Sequence, residues 1–296
     1  MNRNHRAGLA AETLTILESG QYTSASGRKI SIVPQMQECL DRTQLFRPTD
    51  LPNLLNQARS QPPAEETARL EVANETTLAG IDRLLAETAG PVASLNFASA
   101  KNPGGGFLGG SQAQEESLAR SSGLYPSLLK APAYYETHRK GTSALYTDTM
   151  ILSPDCPIFR DDAGSLLDEP RLATFITSAA PNAGAIKQNS PSDTPNIPAA
   201  FLRRGEYVLA LAAAHGCRSI VLGAWGCGVF RNDPTMVAET LRILLMDKEW
   251  NRRFSHVRFS VFDSSERREV YEAFRETLLL GASPRIAPRE PQFARH

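Results

Sequence analysis

The chain is poor in the residues that mark the commonest alternatives. Only four cysteines occur in 296 residues, at positions 39, 156, 217 and 227. Their spacing fits no C-x2-C zinc pattern and no disulfide framework for a chain this long, so free thiols in a reducing compartment are expected. Histidines at 5, 138, 215, 256 and 296 form no H-x-x-x-H pair, and no metal is expected. No apolar run is long enough to cross a bilayer. The basic start Met1-Asn2-Arg3-Asn4-His5-Arg6 leads into no signal-like apolar stretch. A cytoplasmic protein with no membrane contact is the expectation. Excess charge is also missing, with 32 Lys plus Arg against 32 Asp plus Glu. Summed charge therefore offers no reason to bind nucleic acid; the doublets Arg203-Arg204, Arg252-Arg253 and Arg267-Arg268 are the candidates for a local basic groove, though most such doublets are solvated surface pairs. Ser111 and Ser117 lack a G-x-S-x-G context, and there is no P-loop lysine.

What remains is the pattern of an α/β protein. Residues 1–66 read as an N-terminal accessory region. It holds a helix from Arg6 to Leu17 stopped by Gly20, and a short strand Lys29–Val33 ending at Pro34. A polar, proline-bearing loop covers Asp50–Asn56, with a linker near Pro62 and Pro63. From residue 67 to 282, strands and helices alternate. Strands are expected at 69–73, 92–97, 144–153 (stopped by Pro154), 174–178, 219–222 and 256–262, and helices at 76–88, 202–215, 234–245 and 265–280. A further helix is expected to open at Ser111 through a capping box with Gln114 and to run to Ser121. The tail 283–296 carries three prolines and is expected to be loosely ordered. This alternation argues for a sheet with helices on both faces, whose ligands bind beyond the carboxyl ends of the strands.

Two glycine loops follow strands. The first is Asn102-Pro103-Gly104-Gly105-Gly106, where backbone N–H groups can approach a ligand with no Cβ between them. The second, Gly226-Cys227-Gly228-Val229-Phe230, contains G-x-G but lacks the full dinucleotide fingerprint. Two loops on one sheet edge could hold the two ends of an elongated, phosphate-bearing ligand. Glu115 and Glu116 follow the first loop. Neighbours on a helix point about 100° apart, so the two carboxylates should do different jobs. A helix N-terminus lowers a carboxylate pKa whereas a general acid needs a raised one, so burial would have to prevail at the acid.

Taken together, Asn96-Phe97-Ala98-Ser99, Asn102-Pro103-Gly104-Gly105-Gly106-Phe107 and Gln114-Glu115-Glu116, with seven residues between triple glycine and Gln114, resemble the signature of bacterial-type poly(ADP-ribose) glycohydrolases. The resemblance implies a macrodomain-like mixed sheet sandwiched by helices over 67–282. It implies hydrolysis of ribose–ribose O-glycosidic bonds to release ADP-ribose, by exo cleavage and without a cofactor. Carried over by position, Glu116 would be the acid/base, with Glu115 and Asn102 binding hydroxyls of the terminal ribose. Gly104, Gly105 and Gly106, with Gly226, Cys227, Gly228, Val229 and Phe230, would cradle the diphosphate, Phe230 fixing the ribose. Gln114 joins the substrate-binding set. Glu75 and Thr76 are assigned to adenine only from their place after the first core strand. The expected partner is poly(ADP-ribose) or an ADP-ribosylated protein, bound by a monomer that does not bind DNA directly. Competing readings are an ADP-ribose-binding macrodomain, which would not need an intact Gln-Glu-Glu, and a mono-ADP-ribosyl hydrolase. A nicotinamide-dependent oxidoreductase is disfavoured because the first strand–turn–helix of the core carries no glycine fingerprint.

Overall fold

Apolar residues at every second, or every third to fourth, position set the order of elements along the chain. The computed structural model describes residues 1–280; the tail expected to be loosely ordered lies outside the described residues. The first segment holds α1 (Arg3–Ser19), β1 (Gln21–Thr23), β2 (Lys29–Ser31), α2 (Val33–Arg42), β3 (Gln44–Phe46) and α3 (Leu51–Ser60). Then come β4 (Arg69–Ala73), α4 (Thr77–Glu87), β5 (Val92–Phe97), α5 (Gln114–Ser121), α6 (Leu124–Leu129) and α7 (Pro132–Lys140). The remainder is β6 (Met150–Arg160), β7 (Leu166–Ser178), α8 (Ala183–Asn189), α9 (Ile197–Ala214), β8 (Ser219–Leu222), α10 (Pro234–Arg242), β9 (His256–Ser260) and α11 (Glu269–Leu279).

Seven strands form one mixed sheet in the order β3-β6-β7-β5-β8-β9-β4. The pairs from β7 through β4 are parallel, and β3, β6 and β7 pair antiparallel. The apolar runs of β5 and β8 lie in the middle, covered on both faces, which is why neither alternates. On one face Phe201, Leu209, Leu241 and Phe274 bring α9, α10 and α11 onto the sheet. On the other, Cys39, Ile81, Leu118, Leu128 and Tyr134 bring α2, α4, α5, α6 and α7. The expected sandwich of a mixed sheet between helices is the one observed. The parallel registers align Ala73 with Ser260, Leu222 with Phe259 and Phe97 with Ser178. The loops after β4, β5, β7, β8 and β9 therefore leave from one edge. No helix among the described residues is long and apolar enough to cross a membrane.

Several elements differ from the sequence expectations, chiefly at prolines. Pro34 does not end a strand, and residues 50–56 are not a loop. Both Pro34 and Pro52 sit in the first turn of helices, α2 and α3, where a missing N–H leaves no bond unmade. Pro154 does not stop its strand either. β6 continues to Arg160 across a register shift between Ser153 and Cys156, with Asp155 at φ 45°, so the irregularity absorbs the proline. β7 extends further toward the N-terminus than residue 174, and α9 begins at Ile197 instead of Leu202. β3 joins the edge of the central sheet, so the first 66 residues supply one of its strands.

Candidate active site

The first glycine loop turns immediately beyond β5. Asn102 is exposed, and its carbonyl accepts from Gly105 N at 3.0 Å. Gly104 and Gly105 have φ of +68° and +60°, a left-handed conformation that an L side chain adopts only at a cost. Space imposes the same choice. A Cβ on Gly105 would overlap the Glu116 carboxylate, and one on Gly104 would lie 2.9 Å from the Phe107 ring. The run Gly104, Gly106, Gly109 does have G-x-G-x-x-G spacing. It closes on a 3-10 turn, Phe107–Gly109, and not on the helix N-terminus that carries a dinucleotide pyrophosphate, so it adds nothing to the oxidoreductase reading.

Ser111 does not cap α5, and the expected capping box is not formed. The helix begins at Gln114, its N-cap is Ala113, and no side chain caps it. Gln114 instead ties the helix to the sheet. Its Oε1 accepts from Phe97 N at 2.8 Å, and its Nε2 donates to Leu95 O at 2.8 Å and Thr77 Oγ1 at 3.2 Å. With its amide occupied on both sides, it fixes the first turn of α5 against β5 and α4.

The two carboxylates sit in different environments, as their adjacency on a helix requires. Glu115 is 2% exposed. Its Oε2 accepts from Ser99 N at 2.7 Å and its Oε1 from Asn96 Nδ2 at 3.3 Å. Burial, reinforced by the neighbouring Glu116 charge, pushes its pKa up to about 8, against the opposing pull of the Ser99 N–H. Glu116 is half-buried and opens toward the loop, and its Oε1 accepts from Gly106 N at 3.0 Å. Ser99 and Asn96 received no role in the sequence reading. The available signal was Asn96 itself, a fully buried amide in an apolar strand, whose Nδ2 also reaches Thr177 Oγ1 at 3.2 Å.

The second loop leaves β8, the direct neighbour of β5. Trp225 anchors it, donating from Nε1 to Ser178 O at 3.1 Å. Asn232 Nδ2 braces it through Gly226 O at 2.9 Å and Pro181 O at 2.8 Å. Beyond these anchors the loop rises into solvent. Gly228 faces open space and Val229 is 82% exposed. Phe230 is half-buried, its ring 6.1 Å from that of Tyr146, which holds φ at 59°. Tyr146 escaped the sequence reading because nothing local marks it. Burial pushes the Cys227 thiol up to about 12, away from the thiolate that a nucleophile needs.

Glu75 and Thr76 lie on the same edge with their polar atoms already engaged. Glu75 accepts from Arg258 Nε at 2.6 Å, Ser260 Oγ at 3.0 Å and Arg83 Nε at 3.2 Å. Thr76 caps α4 through Ala79 N at 3.1 Å and donates to Asp162. Among the described residues no group of three or more His, Cys, Asp or Glu side chains could hold a metal ion. Two backbone-rich loops beside one fixed and one accessible carboxylate suit a diphosphate ligand carrying an acid-labile bond.

Comparison with known proteins points to the same chemistry. The family described as microbial-type PARG, catalytic domain, matches residues 10–161. The crystal structure of poly(ADP-ribose) glycohydrolase from Thermomonospora curvata is 46% identical, with 93% of this chain and 99% of that one covered and a TM-score of 0.89. The same enzyme bound to the inhibitor ADP-HPD superposes with a TM-score of 0.87 at 46% identity, covering 93% of this chain and all of that one. The Deinococcus radiodurans enzyme in complex with ADP-ribose is 47% identical, covering 83% of this chain and 98% of its own, with a TM-score of 0.79. No curated protein sequence matches the chain.

Proposed function

The chain belongs to the microbial-type poly(ADP-ribose) glycohydrolases, and from that premise we propose that Glu116 is its single acid/base. The enzyme hydrolyses the ribose–ribose bond of poly(ADP-ribose). The observation that carries the assignment is the contrast between two adjacent carboxylates. The burial and raised pKa looked for at the acid fall on Glu115, which is enclosed and bonded through both oxygens; access carries the assignment instead, since Glu116 opens to the glycine loop and its Oε1 accepts from Gly106 N.

In this reading the ADP-ribose diphosphate rests on the main chain of Gly104–Gly106 and of Gly226–Phe230, with Phe230 against the terminal ribose. Asn102 and the remaining lone pairs of Glu115 accept ribose hydroxyls. Glu116 protonates the departing ribose oxygen as positive charge grows at the anomeric carbon, then removes a proton from the incoming water. The usual glycosidase pair flanks the bond from two sides. Glu115 and Glu116 share one helical turn and do not span it, so the ligand's own diphosphate supplies the negative charge facing the cation.

Gln114 acts as a positioning residue, since its amide is bonded to β5 and α4. Glu75 and Thr76, whose side chains are hydrogen-bonded within the protein at the same sheet edge, stay assigned to the adenine end of the ligand. Cleavage proceeds from the chain end. The test is Glu116→Gln with defined polymer. Turnover should fall by about 10²–10⁴, the usual contribution of a general acid, while ADP-ribose still binds. Near-normal turnover would overturn the assignment, and early oligomers cut from mid-chain would overturn the exo mode.

A further inference from the structure

The face of α1 turned toward the glycine loop carries Arg3, Arg6, Ala10 and Thr13, a helical spacing. Each of these four touches the machinery around Glu116. Arg3 Nε donates to Gly109 O at 2.9 Å, and Arg6 Nε donates to Gly110 O at 2.8 Å. Ala10 packs with Phe107 and Ala119, the first from the turn and the second from α5. Thr13 Oγ1 donates to Arg120 O at the end of α5, and Arg120 Nη1 donates back to Ser111 O at 2.8 Å.

The contact is closest at Gly110. Its φ is +72°, and a Cβ there would overlap the carbonyl oxygen of Arg3 and lie 3.1 Å from Ala7 N, so the helix backbone rests directly on the turn. The turn is a small closed unit. Gly106 O accepts from Gly109 N at 3.1 Å and from Ser111 N at 3.2 Å. The same Gly106 donates its N–H to Glu116 Oε1.

We propose that Arg3 and Arg6 are positioning residues that hold the Gly106–Ser111 turn, and through it the Glu116 carboxylate, in the reactive arrangement. The proposal rests on the assignment of Glu116 given above. Each guanidinium places a charge-assisted bond on a carbonyl of the turn, three or four residues beyond Gly106. Thr13 meanwhile grips the helix on which Glu116 stands. α1 thus braces from outside two parts that meet where Gly106 N–H reaches Glu116, where Arg120 reaches Ser111 O and where Phe107 packs on Ala119. Arg3 is exposed and Arg6 half-buried, so neither is part of the core, and their loss should loosen the turn more than the fold.

The experiment compares Arg3→Ala/Arg6→Ala with Arg3→Lys/Arg6→Lys. A displacement of about 1 Å at a reacting group can cost about 10²-fold in rate. The alanine double variant should lose about tenfold or more in kcat, with KM changed less than about threefold. Tenfold corresponds to about 1.4 kcal/mol. The lysine variant, which still donates a charged hydrogen bond, should recover most of the loss. Hydrogen–deuterium exchange should show residues 104–112 exchanging faster in the alanine variant, with the sheet strands unchanged. Unchanged kcat overturns the proposal. So does a loss that lysine fails to rescue and that tracks a fall in melting temperature, or exchange across 104–112 equal to that of the parent. Should the parent release no ADP-ribose from polymer, the glycohydrolase reading fails separately, and the exchange measurement still decides the clamp.

Discussion

Replacing Glu115 by glutamine should stabilise the protein, and only at neutral and alkaline pH. The carboxyl is raised from 4.5 to about 8 by burial beside Glu116. A group that holds its proton more tightly when folded contributes stability that is complete below its unfolded pKa and is lost as pH rises through the folded value. Each pKa unit is worth about 1.4 kcal/mol. For Glu115 the loss is under about 1 kcal/mol at pH 5, about 3 kcal/mol at pH 7 and about 5 kcal/mol above pH 8, as orders of magnitude. Glutamine has the shape of the protonated acid and never ionises. Its oxygen can keep the Ser99 N–H, and its NH2 can face Asn96, whose Oδ1 has no partner at present and becomes the acceptor after an amide rotation. In a chain of this size 1 kcal/mol moves the melting temperature by about 2–4 °C. Glu115→Gln should therefore melt at least about 10 °C higher than the parent at pH 9 and within about 3 °C of it at pH 5. Thermal scans across that range are the assay. A difference that does not vary with pH, or a variant less stable at pH 9, would refute the reasoning.

Three further outcomes are expected. Gly105→Ala puts a side chain at φ +60° and into the space of the Glu116 carboxylate, so kcat should fall about 100-fold; steady-state kinetics on polymer would detect this, and normal turnover would show that the loop can move aside. Gln114→Ala removes three hydrogen bonds between α5 and its neighbours and should cost about 2–3 kcal/mol in a urea titration; an unchanged midpoint would mean that the amide is not a tie. The Cys227 thiol, pushed up to about 12, should be roughly 10⁻⁴ ionised at pH 8 and should resist iodoacetamide, with fast alkylation of that residue in a peptide map as the contrary result.

Where both faces of a strand are covered, local composition is nearly sufficient. Val92–Phe97 and Ser219–Leu222 are mostly apolar runs buried on both faces, and they are the central parallel strands, with the bounds expected of them. Helices α2 and α3 are hidden in the sequence because a proline in a first helical turn looks like one that ends a strand, as at Pro34, or one that marks a loop, as at Pro52. The Ser111–Gln114 spacing suited a capping box, yet Gln114 lies beside the β5 backbone, and bonds there displaced the local one. Tertiary contact overrode a short-range pattern.

The amino-acid order by itself determined the triple glycine, the paired acids that follow a seven-residue spacer and Gln114, and the placement of both after strand ends, because spacing and backbone freedom are local properties. Which carboxylate is enclosed and which is open, that Gln114 is a tie, and that α1 braces the turn from outside were decided only in three dimensions. The contacts responsible join residues 16 to 19 positions apart at Glu115 and 104 to 107 apart at α1. Desolvation and hydrogen bonding depend on what the fold brings alongside a group, and no stretch of neighbouring sequence records that.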